Sequence, residues 1–336
     1  MEKNQNPSKF KAFDTYPAPL EQVTEYTTLH SRSADIKGYH LSKALMKLIK
    51  SFALCLSWKT AYRVGAWMGL ILYRLRIRKH VAMTNLDIVF GDTKSAEEKE
   101  LIYRESMINC GRVIINYLRL PYMGEMFWKE KCRWKNEEIF KSAMNRKKGA
   151  LLIAGHIGMM DIACGKIGMS GYPVAAVGKR IENPVFDKFI VDTRKSMNLG
   201  TIKNRNSMKR ILEGIRNGEA IVMALDQSMR RSVGVFIDWM GRPACSVRSA
   251  AYVALKTGAP VLAGFMRQTG PDEFELVLTE EVEWEKRPDD SEKEILVNTQ
   301  KQADAIQKII YEHPELWLWI HRRWRTQPKG MKSPYE

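Results

Sequence analysis

The chain has 336 residues, 45% of them hydrophobic, which is enough for one sizeable domain with an N-terminal appendage. A net charge of +16 points to an anionic partner: nucleic acid, an anionic membrane surface or an acidic substrate carrier. The five cysteines are scattered without a Cys-x-x-Cys pair, which leaves zinc ribbons and dithiol redox motifs unsupported and fits a reducing compartment.

Residues 1–40 are polar and without sustained period, and read as a flexible tail with no cleavable signal peptide. Leu45 to Tyr73 is strongly apolar but is interrupted by Lys59 and Arg63 on one helical face. A clean bilayer span wants about 20 apolar residues, so the stretch reads as an amphipathic or interfacial helix, or a marginal span. Trp58, Tyr62, Trp67 and Tyr73 suit an interface, and the cluster Arg74, Arg76, Arg78 and Lys79 suits an anionic headgroup layer. If the stretch spans, the positive-inside rule places everything after Arg74 in the cytoplasm. The chain therefore divides into a tail (1–40), a membrane-associated helical segment (41–80) and a main domain (81–330).

Ser95-Ala-Glu-Glu98 is a capping box that opens a long helix carrying Leu101, Ile102, Met107, Ile108, Val113, Ile114 and Leu118 at helical spacing. From Gly149 onward, short apolar runs alternate with helical segments. The spacing predicts strands at Ala150–Ala154, Val174–Val177, Ala220–Leu225 and Pro260–Phe265, and an antiparallel one at Phe274–Trp284. Between them, Asn183-Pro184 and Asn206 open helices, Ser246 to Thr257 forms a third that stops at Gly258, and Ser291 to Tyr311 forms a long amphipathic one. This alternation predicts an α/β fold, a layered sheet flanked by helices, with ligands at the carboxyl ends of the strands.

The stretch with the most chemistry is Gly155-His156-Ile-Gly-Met-Met-Asp161, which leaves the first of these strands. On an uninterrupted helix His156 and Asp161 would lie about 140° apart and could not pair. With His156 on the loop and Asp161 in the first helical turn, the carboxylate can fold back onto the imidazole. A neutral imidazole is the natural general base near pH 7, and a carboxylate on its other nitrogen fixes the tautomer. On spacing alone, a strand-end histidine beside a helix-capping acid is the simpler account of the pair. Serine-hydrolase elbows, phosphate loops, His-Glu-x-x-His and nucleic-acid modules are absent. A divalent metal held by His156, Asp161 and Asp226 is an alternative hydrolase reading.

Two further blocks follow in order: Leu225-Asp226-Gln227 with Gly234 to Ala244, and His313-Pro-Glu-Leu-Trp317 through His321-Arg322-Arg323-Trp324-Arg325. Together with the His156 block, they resemble the lipid A late acyltransferases, the lauroyl/myristoyl branch of the lysophospholipid acyltransferase group, from about Leu45 to Gly330. The resemblance implies a glycerolipid acyltransferase-like fold. It also implies cofactor-free acyl transfer, from an acyl carrier protein thioester or acyl-CoA, to a hydroxyl of a membrane lipid. The acceptor would be lipid A or a related glycolipid, and the domain would face the cytoplasm at the inner membrane, with no nucleic-acid partner. Glycerolipid or aminolipid acylation uses the same dyad and is the alternative.

In that scheme His156 is the base and Asp161 its orienting partner, with Asp226 a further site acid and Arg180 a substrate or oxyanion contact. Backbone amides near Gly158 are additional oxyanion donors. Arg242 either binds a phosphate or pairs with Asp238, and Arg322 with Arg323 either docks an acidic carrier or is a solvated cluster. The neighbouring tryptophans read as packing.

Overall fold

The computed structural model describes residues 39–179, 181–203 and 207–336. Arg180 and Asn206, and all but the last two residues of the polar tail, lie outside the described residues.

Among the described residues four α-helices come first: α1 (Tyr39–Cys55), α2 (Trp58–Arg74), α3 (Lys79–Phe90) and α4 (Ala96–Arg119). Ser57 caps α2 through Thr60 N–H, so the apolar stretch breaks into two helices at Leu56–Ser57. Among the described residues no helix is long and apolar enough to cross a membrane. The break leaves two helices of 17 residues, and the second carries Lys59, Arg63 and Arg74; its Gly65 and Gly69 face α4. A Cβ on Gly69 would lie 2.2 Å from the Met107 carbonyl oxygen, and one on Gly111 would lie 2.1 Å from that of Gly65. The small-residue face seats the helix backbone to backbone on the main domain. Of the four aromatic residues expected at an interface, Trp58 instead stacks on Phe127, Tyr62 lies under Arg112, and Tyr73 donates to Glu100. Trp67 alone of the four is exposed, at 62%. The capping box at Ser95 closes in both directions and starts α4 as expected.

A seven-stranded sheet follows. Its strands are β1 (Cys132–Trp134), β2 (Ala150–Ala154), β3 (Val174–Gly178), β4 (Leu199–Lys203), β5 (Ala220–Ala224), β8 (Val261–Gln268) and β9 (Phe274–Glu281), while β6 (Gly234–Trp239) and β7 (Arg242–Val247) make a separate hairpin. The spatial order is β1-β9-β8-β2-β5-β3-β4. The β8–β9 pair is antiparallel and the other neighbours are parallel. The intervening helices are α5 (Glu137–Asn145), α6 (Met160–Met169), α7 (Pro184–Ser196), α8 (Met208–Arg216), α9 (Ser249–Thr257) and α10 (Ser291–Glu312). The mixed layered sheet agrees with the expected α/β class.

Every residue of β2 is buried, as a central strand covered on both faces must be. Leu151 and Ile153 join the core beneath α9 and α10, while Leu152 and Ala154 join the core with α6. Sequence reading missed β1, β4 and the β6–β7 hairpin. The helix predicted from Ser246 begins instead at Ser249, because residues 242–247 pair with β6.

Candidate active site

Strands β2 and β5 run parallel in register, with Ala154 opposite Ala224. The residues that follow them therefore emerge side by side at the carboxyl edge of the sheet. His156 and Asp226, 70 positions apart, meet there. The Asp226 carboxylate accepts from the His156 backbone N–H at 2.8 Å through Oδ2 and from the ring Nδ1 at 2.9 Å through Oδ1. The Trp317 indole N–H also donates to Oδ2, at 2.9 Å. Burial alone would oppose ionisation of Asp226, but the His156 charge and these three donors outweigh it and hold the carboxyl far below the usual carboxylate range.

The imidazole is 32% exposed, and its other nitrogen, Nε2, lies 3.2 Å from the side-chain amide nitrogen of the exposed Gln227. Asp226 raises its pKa above 6.5, against the opposing effect of burial, and Asp161 adds a smaller contribution. With the Nδ1 proton engaged by Asp226, Nε2 is the basic lone-pair nitrogen.

This corrects the expected pairing. Asp161 does stand in the first turn of α6, but its carboxylate accepts from Arg194 Nε on α7 at 2.8 Å. Burial opposes the charge on Arg194, and Asp161 more than restores it. The acid on the imidazole Nδ1 is Asp226. Among the described residues, no three His, Cys, Asp or Glu are placed to hold a metal ion. The metal-hydrolase alternative needs Asp161 to converge with His156 and Asp226, and it is committed elsewhere.

Gly158 has φ +58°, and a Cβ there would meet the Met266 carbonyl oxygen at 2.0 Å, so the turn after His156 requires glycine. Its N–H donates to Leu316 O and that of Met159 to Met266 O, both at 2.9 Å. These two amides, expected as oxyanion donors, are thus occupied.

His156 and Asp161 both line a cavity of about 370 Å³. The remainder of its wall is almost wholly apolar: Leu72 and Ile77 from the end of α2 and the turn after it, Met107, Val113, Ile114 and Tyr117 from α4, and Leu316, Leu318 and Ile320 from the C-terminal segment. Asn109 and Cys110 complete the α4 side. Burial pushes the Cys110 thiol up to about 11, which leaves it a protonated apolar lining group.

The C-terminal segment is the part that sequence reading understated. Leu318 N–H donates to the His156 carbonyl at 3.1 Å, and Ile157 bridges Trp317. His321 Nε2 accepts from Ser228 N–H at 3.2 Å, and burial lowers its pKa to about 4, which keeps it neutral. Arg323 is 0% exposed; it stacks on Trp239 and donates to the carbonyls of Gln227 and Cys245 and to the Ser246 hydroxyl. It is therefore not a docking residue. Of the proposed docking pair only Arg322 is exposed, with its guanidinium near the Tyr335 ring. Arg242 donates to Lys332 O at 3.3 Å. The tryptophan expected to be only packing, Trp317, is a site residue. Its signal was an indole N–H in a block already tied to the histidine block.

The chain is similar to known proteins over most of its length. The profile described as bacterial lipid A biosynthesis acyltransferase matches residues 29–326. The chain is 22% identical over 288 residues to a lipid A biosynthesis lauroyltransferase of Escherichia coli (strain K12), which covers 83% of this chain and 90% of the relative. It is 26% identical over 275 residues to the lipid A biosynthesis palmitoleoyltransferase of the same organism, covering 81% and 86%. A lipid A biosynthesis acyltransferase of Haemophilus influenzae is 22% identical over 282 residues, covering 82% and 87%. The chain belongs to the bacterial lipid A biosynthesis acyltransferase family, and it is an acyltransferase.

Proposed function

We propose that the protein transfers a fatty acyl chain from an acyl carrier protein thioester to a hydroxyl of a lipid A-type glycolipid, with His156 as general base. The observation that carries this reading is the basic nitrogen of His156 beside an apolar cavity of about 370 Å³. Each methylene sequestered there contributes about 0.8 kcal/mol, so the cavity favours an alkyl chain over any polar substrate. The thioester carbonyl at the end of that chain then lies beside Nε2. A thioester is already activated, so the chain's own residues need only remove the hydroxyl proton and accommodate charge on the carbonyl oxygen. Arg180, together with Arg242, remains part of the proposal as a contact to the anionic acceptor.

The charge of +16 favours an acidic carrier over coenzyme A, through electrostatic steering. The test is product formation from acyl carrier protein and from acyl-CoA across a salt series, with acylated lipids identified by mass spectrometry. A steep fall with salt for the carrier alone is expected, and Arg322→Ala should raise its apparent KM by about two- to fivefold, the scale of one exposed charge pair. A faster, salt-independent reaction with acyl-CoA would overturn the carrier assignment. Acylation of a glycerolipid or aminolipid instead would redirect the acceptor.

Membrane attachment is proposed to run through α1. Leu41, Leu45, Leu48 and Phe52 recur at helical spacing on one stripe and are 73%, 48%, 69% and 55% exposed, with Lys43, Lys47 and Lys50 on the same helix. That pattern suits a helix lying in the interface of an anionic membrane rather than crossing it, here the cytoplasmic face of the inner membrane. Replacing the four apolar residues with serine is expected to weaken binding to anionic vesicles by roughly 100-fold or more. Unchanged sedimentation of the folded variant would refute the assignment.

A further inference from the structure

We propose that Gln227 is a catalytic residue, whose side-chain amide first occupies the basic nitrogen of His156 and then donates to the thioester oxygen as it becomes negative. The inference rests on the acyl-transfer reading above. The amide Nε2 of Gln227 lies 3.2 Å from His156 Nε2. Because Asp226 accepts the Nδ1 proton, the ring presents a lone pair at Nε2, and Gln227 must offer an N–H to it. The resting base is thus capped by a weak, neutral donor that an incoming hydroxyl displaces.

The position it vacates is the useful one. The acceptor oxygen bonds to the thioester carbon as its proton passes to His156 Nε2, and the carbonyl π pair becomes an oxyanion. That oxygen is two bonds from the attacking atom, within the sweep of the displaced amide. The C–S bond then breaks as the carbonyl reforms, and the leaving thiolate takes the proton back from Nε2. Among the described residues, the Gly158 and Met159 N–H groups donate to carbonyls and Arg194 Nε to Asp161.

Gln227 is exposed, but its backbone is fixed. Its carbonyl accepts from buried Arg323 at 3.4 Å, and the next residue donates its N–H to His321 at 3.2 Å. A side chain that swings from so firm an anchor returns to the same place each turnover. The role also explains why a fully buried arginine and a half-buried, neutral histidine converge on residues 227 and 228.

The experiment is steady-state kinetics of Gln227→Leu and Gln227→Glu in the full-length protein, with one thioester donor, alongside thermal unfolding. For Gln227→Leu, kcat should fall about 10- to 100-fold, below the full effect of an enclosed oxyanion donor because this amide meets solvent. The KM for the thioester should stay within roughly twofold, since an interaction made only in the transition state is lost. Gln227→Glu should lose at least as much, with the acid limb of its pH profile moved upward, because a carboxylate there stabilises the imidazolium. Gln227→Leu with kcat unchanged or raised, or with only KM altered, would overturn the proposal. If the wild-type protein transfers no acyl chain at all, the functional reading fails instead.

Discussion

His156→Ala is expected to reduce acyl transfer by about 10²- to 10⁴-fold, the usual contribution of a positioned general base. The fold should persist, because the ring is partly exposed and two of the three donors on Asp226, the backbone N–H of residue 156 and the Trp317 indole, do not depend on it. The base works only when neutral. Since Asp226 raises the imidazole pKa, activity in the wild type should climb with pH through a midpoint above 6.5. Purified His156→Ala protein that turns over at a near-normal rate would refute the mechanism, and so would a flat pH profile between 5 and 8.

The second large effect separates the two acids. Asp226→Asn should approach the roughly 10⁴-fold loss that follows when a base histidine is given the wrong tautomer. An amide nitrogen at Oδ1 would donate to Nδ1, move the ring proton to Nε2 and leave no lone pair for the acceptor hydroxyl. Asp161→Asn should behave differently. It leaves the Asp226–imidazole pair intact but strips a mostly buried Arg194 of its counter-charge, which costs on the order of 3 kcal/mol of stability once partial solvent screening is allowed for. Its kcat, corrected for the folded fraction, should therefore fall less than that of Asp226→Asn. The reverse ranking, measured on folded protein, would restore Asp161 as the orienting acid.

The contrast between these two acids also marks what was legible in the sequence. The strand from Ala150 to Ala154 announced itself as an apolar run ended by glycine, and the histidine at its end followed from the motif. Asp161 was placed correctly at the start of α6. Its partner was not, because pairing depends on which strands are neighbours. Only the adjacency of β2 and β5 brings position 226 to position 156, and a linear pattern of apolar runs carries no strand order. Arg323 was misread for a related reason. An arginine in a basic run looks solvated, and its burial is decided by carbonyls and an indole more than 75 positions away. The β6–β7 hairpin stayed hidden because β6 has no fully buried run; only Ile237 and Trp239 in it are buried.

The C-terminal segment has a consequence for how the enzyme comes into being. Trp317 reaches back 91 positions to Asp226, and Trp319 and His321 accept from Asn85, more than 230 positions earlier. Such contacts are among the last that a growing chain can make, and loop closure over that distance is slow. On the ribosome, a nascent polypeptide that has emerged only as far as α10 already holds the strands bearing His156 and Asp226, yet lacks one of the three donors on the acid and the apolar wall supplied by Leu316 to Ile320. The geometry around Asp226 is therefore completed late in biogenesis, when the segment after α10 has emerged and docked.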